Sequence, residues 1–376
     1  MSGTNGHLYE IVYNHIINEI KSGNYNKGDR LPTEKELTEK FNVSRITTKK
    51  ALEMLSEEGI VKRIRGKGSY ITKDFRDNSE KTSERLIKSD SLIGFVLPDY
   101  SDGYATELFK GLEEEATKHD LYIVHRRTFG FQDIEEKVVD GLVNLGVKGI
   151  IIMPVHGENY NPKILRLVLD GFPVVFVDRY LKGIPSPCVC TDNISSSKMA
   201  VDYLIKLGHR YISFISPPSI DTSTIEERME GFIKSHAENG VPVESSLHLM
   251  DITSTIPGMN TEENIRKDIE KIMKHIESNP QITCLFATEY NIALLCRKAV
   301  MNLGKRVPDD ISIMCFDEPR SYTGDYLFTH VRQKEREMGA IAVQLIQNQI
   351  ENGDSNKKVF LEAELVIGQT TGKPVK

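Results

Sequence analysis

From residue 91 onward the chain alternates short β-branched runs with amphipathic helical stretches. The runs are Leu92 to Leu97, Leu121 to Val124, Gly149 to Met153, Val174 to Val177, Ile212 to Ile215, Cys284 to Phe286 and Ile311 to Phe316. That alternation is the signature of a parallel α/β sheet. Ligands in such sheets bind beyond the carboxyl ends of the strands, so the residues after each run carry the functional information. Here they are polar or aromatic: Asp99, Tyr100, Asp102 and Tyr104 after the first, Arg126 and Arg127 after the second, and His156 and Glu158 after the third. Asp178 and Arg179 follow the fourth, and Asp317 and Glu318 the last. Carboxylates and guanidiniums together bond hydroxyl groups in two directions, and aromatic rings pack on the apolar faces of a sugar. The expectation is a polyol or sugar site. Strand ends are commonly polar, so the weight lies in the set rather than in any one position.

The N-terminal segment follows a different pattern. A helix over about 7 to 22 would place Leu8, Ile11 and Val12 on one face and stop before Gly23. Thr33 and Glu36 have capping-box spacing, which starts a second helix running to about Phe41. Asn42-Val43-Ser44 breaks it, with Ser44 as N-cap of a third helix. There Thr48, Ala51, Leu52 and Leu55 repeat as a buried face, leaving Ile46, Lys49, Lys50 and Glu53 outward. Ile60-Val61 and Tyr70-Ile71 can then pair around an Arg65-Gly66-Lys67-Gly68 tip. Helix, turn, helix and basic hairpin in that order describe a winged helix-turn-helix, whose cations attract phosphates and whose glycines let the backbone approach them. Arg45, at the start of the third helix, can reach both acceptors of a guanine in the major groove.

Charge agrees with this division. Residues 1 to 73 hold 13 Lys and Arg against 9 Asp and Glu, whereas the remainder is net acidic within an overall charge of −6. A basic head on an acidic body fits a reader of nucleic acid attached to something else. Residues 74 to 90 mix both charges with little apolar content, the composition of an exposed linker between a 1–73 head and a 91–376 body.

Leu31-Pro32-Thr33-Glu34, Val43-Ser44-Arg45, the stretch Thr47 to Leu52, and Gly66-Lys67-Gly68-Ser69-Tyr70 resemble the GntR family of winged-helix regulators. The resemblance implies that Lys35, Ser44, Arg45, Thr47, Lys49, Arg65, Gly66 and Lys67 face double-stranded operator DNA. Lys49 and Ile46 depart from the family's usual Arg and Thr. A lysine is a point charge and lacks the fork that reads a base bidentately.

The body resembles the LacI-type sugar-sensing domain, related to periplasmic ribose-binding proteins. The residues that carry this include Ile93 to Pro98, Pro173 to Arg179, Thr191-Asp192-Asn193, Leu207 to Arg210, Arg228 with Gly231-Phe232, Val307 to Ser312, Cys315-Phe316-Asp317, and Val331-Arg332-Gln333 with Met338-Gly339. The implied fold class is α/β: a winged helix-turn-helix plus a two-lobed, periplasmic-binding-protein-like (type I) domain. The implied effector contacts are Asp102, Tyr104, Asp178, Arg179, Arg228, Asp317 and Gln333, with Glu289 added where Glu289-Tyr290 replaces the family's usual Asn-Asp. That exchange changes size and charge in the cleft, so ribose does not follow as effector. The fusion as a whole is similar to the arabinose repressors of Gram-positive bacteria. It implies a homodimer, repression relieved by a small sugar, and L-arabinose as the leading effector.

Other function classes find little support. No apolar run approaches the roughly 18 to 20 residues of a membrane span, and the N-terminal stretch lacks a secretory pattern, so a cytoplasmic protein without membrane contact is expected. The five cysteines lack zinc-ligand spacing and read as core residues, and no cofactor or metal is called for. An α/β enzyme is the rival reading. No Gly-x-Gly-x-x-Gly follows the first strand, and the Walker-like stretch Gly368 to Lys373 has the wrong spacing and continues into Pro374. His209, after the helix-ending Gly208, is expected to play a structural part in which its charge suits the helix C-terminus.

Overall fold

The computed structural model describes residues 8–64, 67–72, 91–100, 102–155, 161–218, 222–317, 327–353 and 356–375. The chain divides into two compact units, Met1–Ile87 and Lys88–Lys376. The linker expected over 74–90 lies outside the described residues.

In the first unit, α1 (Leu8–Lys21), α2 (Glu34–Phe41) and α3 (Arg45–Glu57) precede an antiparallel pair, β1 (Val61–Ile64) and β2 (Gly68–Ile71). The capping box closes as expected: the Thr33 amide donates to Glu36 Oε2 at 2.6 Å, and the Glu36 amide donates to Thr33 Oγ1 at 3.3 Å. Asn42 ends α2 in the left-handed region at φ 50°. Ser44 Oγ then accepts from the Thr47 amide at 3.2 Å and starts α3. Thr48, Ala51, Leu52 and Leu55 are buried against α1 and the hairpin. The inward face of α1 differs from the expectation. Val12, Ile16 and Ile20 are buried at i, i+4 and i+8, whereas Leu8 and Ile11 are more than half exposed. Ile11 is turned about 100° from Val12 around the helix, and Leu8 is the first residue of the helix.

The second unit consists of two lobes, each a parallel sheet covered by helices on both faces. The first lobe contains β3 (Leu92–Leu97), α4 (Asp102–Lys118), β4 (Tyr122–Arg127), α5 (Gln132–Leu145), β5 (Gly149–Ile152), α6 (Pro162–Leu169), β6 (Val174–Val177) and β7 (Cys188–Thr191). The chain crosses into the second lobe for α7 (Asn193–Leu207), β8 (Ile212–Ile215), α8 (Ser223–Glu238), α9 (Glu262–Ser278), β9 (Cys284–Ala287), α10 (Tyr290–Asn302), β10 (Ser312–Phe316) and β11 (Thr329–Arg332). It returns for α11 (Glu335–Asn352) and β12 (Lys358–Leu361), then crosses a third time into β13 (Glu364–Val366). Strand orders are β12-β7-β6-β5-β3-β4 and β13-β11-β10-β9-β8. All these pairs are parallel except that of β13 with β11.

Alternation along the strands feeds two cores in each lobe. Ile93, Phe95 and Leu97 face α4 and α11, while Val96 faces the opposite layer. Closely approaching glycines let the covering helices sit tightly. A Cβ on Gly339 would lie 2.2 Å from the Leu108 carbonyl oxygen, and one on Gly231 would lie 2.2 Å from the Ile194 carbonyl oxygen. All five cysteines are buried free thiols, and Cys188 and Cys190 take alternate positions along β7. The strand expected to stop at Val124 continues through Arg127, so Arg126 and Arg127 belong to β4 and not to a loop after it. β4 is an edge strand, where charged side chains can alternate out to solvent.

Candidate DNA-binding face and effector cleft

Capping of α3 by Ser44 fixes where its first turn points. Arg45 is the first helical residue and is exposed, and no hydrogen bond or ion pair holds its guanidinium among the described residues. Lys49 lies one turn further on the same outer face, 3.7 Å from Glu53. Ile46 is 80% exposed beside Arg45, an apolar surface of the kind that packs on a thymine methyl. Thr47 is half-buried, its hydroxyl 2.7 Å from Ser44 Oγ. Lys35 projects from α2, 3.9 Å from Glu39, and Lys67 is exposed beside the hairpin turn. Arg65 and Gly66 lie outside the described residues.

Two cations of this unit have structural partners instead. Arg63 on β1 bonds Glu34 and lies 3.8 Å from Glu53, which ties the hairpin to α2 and α3. Lys50 stands 4.1 Å over the ring of Tyr9 on α1. A one-dimensional count of positive charge cannot separate these from Arg45, because their partners come from other elements.

In the receptor unit the expected effector residues converge from both lobes. Asp178 and Asp317 occupy matching places, each directly after a central strand and in the left-handed region at φ 68° and 60°. Each amide donates 3.0 Å to the neighbouring strand, Asp178 to the Val189 carbonyl and Asp317 to the Val331 carbonyl. Two non-glycine residues held at positive φ mark strain retained at a site.

On the first-lobe side, the Tyr104 hydroxyl donates to Asp178 Oδ1 at 2.7 Å, and Arg179 Nε donates to Asp178 Oδ2 at 3.3 Å. Burial, followed by the Asp178 charge, pushes the Tyr104 phenol well up, so it stays a neutral donor. Asp102 opens α4. On the second-lobe side, Gln333 Nε2 donates to both oxygens of Asp317 at 2.9 and 3.0 Å, and its Oε1 accepts from Thr191. Thr191 leads into one crossover between the lobes and Gln333 into another, so this amide joins the crossovers to the site. Arg228 is buried, donating to Asn193 Oδ1 at 2.9 Å and to the Thr288 carbonyl at 2.6 Å, with its guanidinium 3.8 Å over Phe316.

Electrostatics link the two sides. Burial raises the Asp317 carboxyl, opposed by the Arg228 charge and the Gln333 bond. Burial also raises Glu289, opposed by Thr255 and by the charges of Arg228 and Arg179. Arg179 belongs to the first lobe and Glu289 to the second, so their influence spans the cleft. Arg179 Nη1, Thr288 Oγ1 and Glu289 Oε1 are buried without a hydrogen-bond partner among the described residues. Buried polar groups rarely stay unpaired without a reason, and hydroxyls of a polyol would satisfy these three.

Several strand-end residues fall elsewhere. His156, Glu158 and Glu318 lie outside the described residues. Asp99 accepts from Arg127 Nη1 at 2.7 Å, and that guanidinium lies 5.4 Å from the Tyr100 ring centre. His209 is structural, but not through its charge. Its ring is buried, with Nδ1 2.9 Å from the Thr283 hydroxyl and Nε2 2.9 Å from the Gly372 carbonyl. Burial lowers its pKa, so a neutral ring pins the C-terminal segment.

Residues 8–71 match the family described as bacterial regulatory proteins, gntR family, and residues 201–371 match the periplasmic binding protein-like domain. The chain joins a GntR head to a periplasmic-binding-protein-like receptor. This GntR-headed chain is a regulator rather than an enzyme. The arabinose metabolism transcriptional repressor of Geobacillus stearothermophilus is 27% identical over 365 residues, covering 95% of each chain. The protein of the same name from Halalkalibacterium halodurans is 25% identical, covering 97% of each. The receptor fold matches the crystal structure of transcription regulator CcpA of Lactococcus lactis with a TM-score of 0.65 at 20% identity, over 75% of this chain and 99% of that one. No helix among the described residues of this GntR-headed regulator is long and apolar enough to cross a membrane.

Proposed function

We propose that the chain is a cytoplasmic, homodimeric transcriptional repressor that holds operator DNA until a small sugar, L-arabinose foremost, binds between the receptor lobes. The observation that carries the sugar reading is the cleft itself. Asp178, Arg179, Arg228, Glu289, Asp317 and Gln333 form a buried to half-buried array carrying both signs of charge, and two of them hold polar atoms that lack a partner among the described residues. Support for arabinose over other sugars comes from two relatives, both named as arabinose repressors and matched along nearly the whole chain. Glu289 and Tyr290, in place of the usual Asn-Asp, favour a ligand other than ribose.

Arg45, Lys49 and Ile46 would enter the major groove, with Lys35, Ser44, Thr47 and the wing residues Arg65, Gly66 and Lys67 at the DNA backbone. In a homodimer, sugar-driven movement of the lobes alters the separation of the two heads, and operator half-sites accept only a narrow range of spacing. The coupling equals the sugar's preference for the DNA-free form, typically ~1 to 3 kcal/mol. Neither a metal nor a cofactor enters this scheme.

The test is titration of purified protein with a panel of pentoses and hexoses by calorimetry, alongside operator binding by fluorescence anisotropy. L-arabinose should give the tightest binding and should weaken operator affinity about 5- to 150-fold. Tighter binding of another sugar would replace the effector, and strengthened operator binding would reverse the sign of regulation.

A further inference from the structure

The segment 252–260 of the second lobe reaches the first lobe beside the cleft. Its root is fixed by the buried Asp268 of α9, whose Oδ2 accepts from the amides of Thr253 and Ser254 at 2.9 and 2.7 Å. The Ile252 amide also donates to the Ser216 carbonyl just beyond β8. The segment then bonds to itself, Ile256 to Thr253 at 3.1 Å and Met259 to Ile256 at 2.9 Å.

Its tip meets the turn between β4 and α5. A Cβ on Gly258 would stand 3.0 Å from Phe131 Cζ, and a Cβ on Gly130 would stand 2.6 Å from Pro257 Cβ. Gly130 and Gly258 both have positive φ, at 77° and 81°, so conformation and space alike call for glycine. Arg127 braces the first-lobe side with its guanidinium 4.5 Å over Phe129, while its Nη1 bonds Asp99. Between root and tip, Thr255 stands beside the Glu289 carboxyl. The Thr255 hydroxyl opposes the rise of that carboxyl, yet Thr255 Oγ1 and Glu289 Oε1 both remain buried without a hydrogen bond of full geometry among the described residues.

We propose that residues 252–260 form a ligand-sensing strap. Thr255 takes a hydroxyl of the bound sugar alongside Glu289, while Pro257 and Gly258 dock on Phe129 to Phe131, so that one segment reads both occupancy and lobe closure. This rests on the sugar-effector reading above. A hydroxyl held by Thr255 and Glu289 fixes the middle of a segment whose root is already hydrogen-bonded, which keeps its tip on the aromatic turn. Without sugar, the tip is held by apolar contact with Gly130 and two half-exposed phenylalanines, and the lobes can part there.

The chain has no tryptophan, so Phe131→Trp creates a single fluorescent reporter in the latch. In the full-length variant, saturating L-arabinose should reduce acrylamide quenching of that tryptophan, with operator binding confirming an intact fold. In parallel, Thr255→Val should weaken sugar binding about 2- to 10-fold by calorimetry, the loss expected for one hydrogen bond. Unchanged quenching at saturating sugar, or wild-type affinity in Thr255→Val, overturns the strap. If another sugar of the panel binds instead, the same measurements with that sugar decide the strap independently of arabinose. Silence of the wild-type protein toward every sugar overturns the effector reading and the strap together.

Discussion

The two units present their functional side chains in opposite ways. On the head, Arg45 and Ile46 stand in solvent with no side-chain partner among the described residues, and Lys49 has an exposed neighbour one turn away. In the receptor, Asp178, Arg228 and Asp317 each share at least one short bond with a residue that is itself held. A duplex supplies strong, regularly spaced charge, so a DNA-reading side chain can be ordered at the moment of contact. A small neutral sugar offers only hydroxyls and cannot supply that ordering energy, so its site must be arranged beforehand. Substitutions in the receptor should therefore damage a network, and those in the head should remove one contact at a time.

The largest expected effect is at Asp317. Asp317→Ala removes an acceptor for the sugar and also strips Gln333 of its partner at the hinge. Losing a charged hydrogen bond while leaving a buried donor unsatisfied should cost about 3 kcal/mol, roughly a hundredfold in sugar affinity. Calorimetry should show that loss while operator affinity without sugar stays at the wild-type level. Retention of sugar affinity would mean that the receptor is not organised around this carboxylate, and the contrast between the units would fail.

A smaller effect is expected at Arg45, which has no network behind it. Arg45→Ala should lower operator affinity by about 1 to 3 kcal/mol, with the loss confined to specific sequence and sugar binding unchanged. Equal weakening on operator and unrelated DNA would reassign Arg45 to the phosphate backbone.

The same contrast governs what the sequence discloses. Capping at Thr33 and Ser44 and the inward face of α3 depend on spacing within one segment, and they are legible residue by residue. Asp178, Arg179 and Asp317 were reachable because parallel sheets place ligands at strand ends, whereas Arg228 and Gln333 came through family resemblance. Leu8 and Ile11 misled because apolar residues at a helix terminus do not reveal which side meets the core. Arg126 and Arg127 misled because an edge strand tolerates charges that look like the end of a strand. Thr255 and Phe131 carried no local signal, since their part arises only when two lobes meet. Such residues share an unpaired hydroxyl or a close glycine neighbour, features that exist only in three dimensions.

The smallest effect, and the sharpest probe of the head, lies at Ser44. Its hydroxyl was expected to face DNA, yet its oxygen already accepts from the Thr47 amide and stands 2.7 Å from the Thr47 hydroxyl. A residue can cap a helix and touch a phosphate, and two substitutions separate these parts. Ser44→Ala removes the cap and should destabilise the head by about 1 kcal/mol, visible in its thermal unfolding. Ser44→Asp retains a good capping oxygen and adds negative charge near the positive end of the helix dipole, so stability should return to the wild-type level or exceed it. If Ser44 also faces the duplex, that charge repels phosphate and operator binding falls despite the restored stability. If Ser44 only caps, Ser44→Asp binds operator as the wild type does. In that case the head would contain one prearranged side chain among its exposed ones, placed there to aim Arg45.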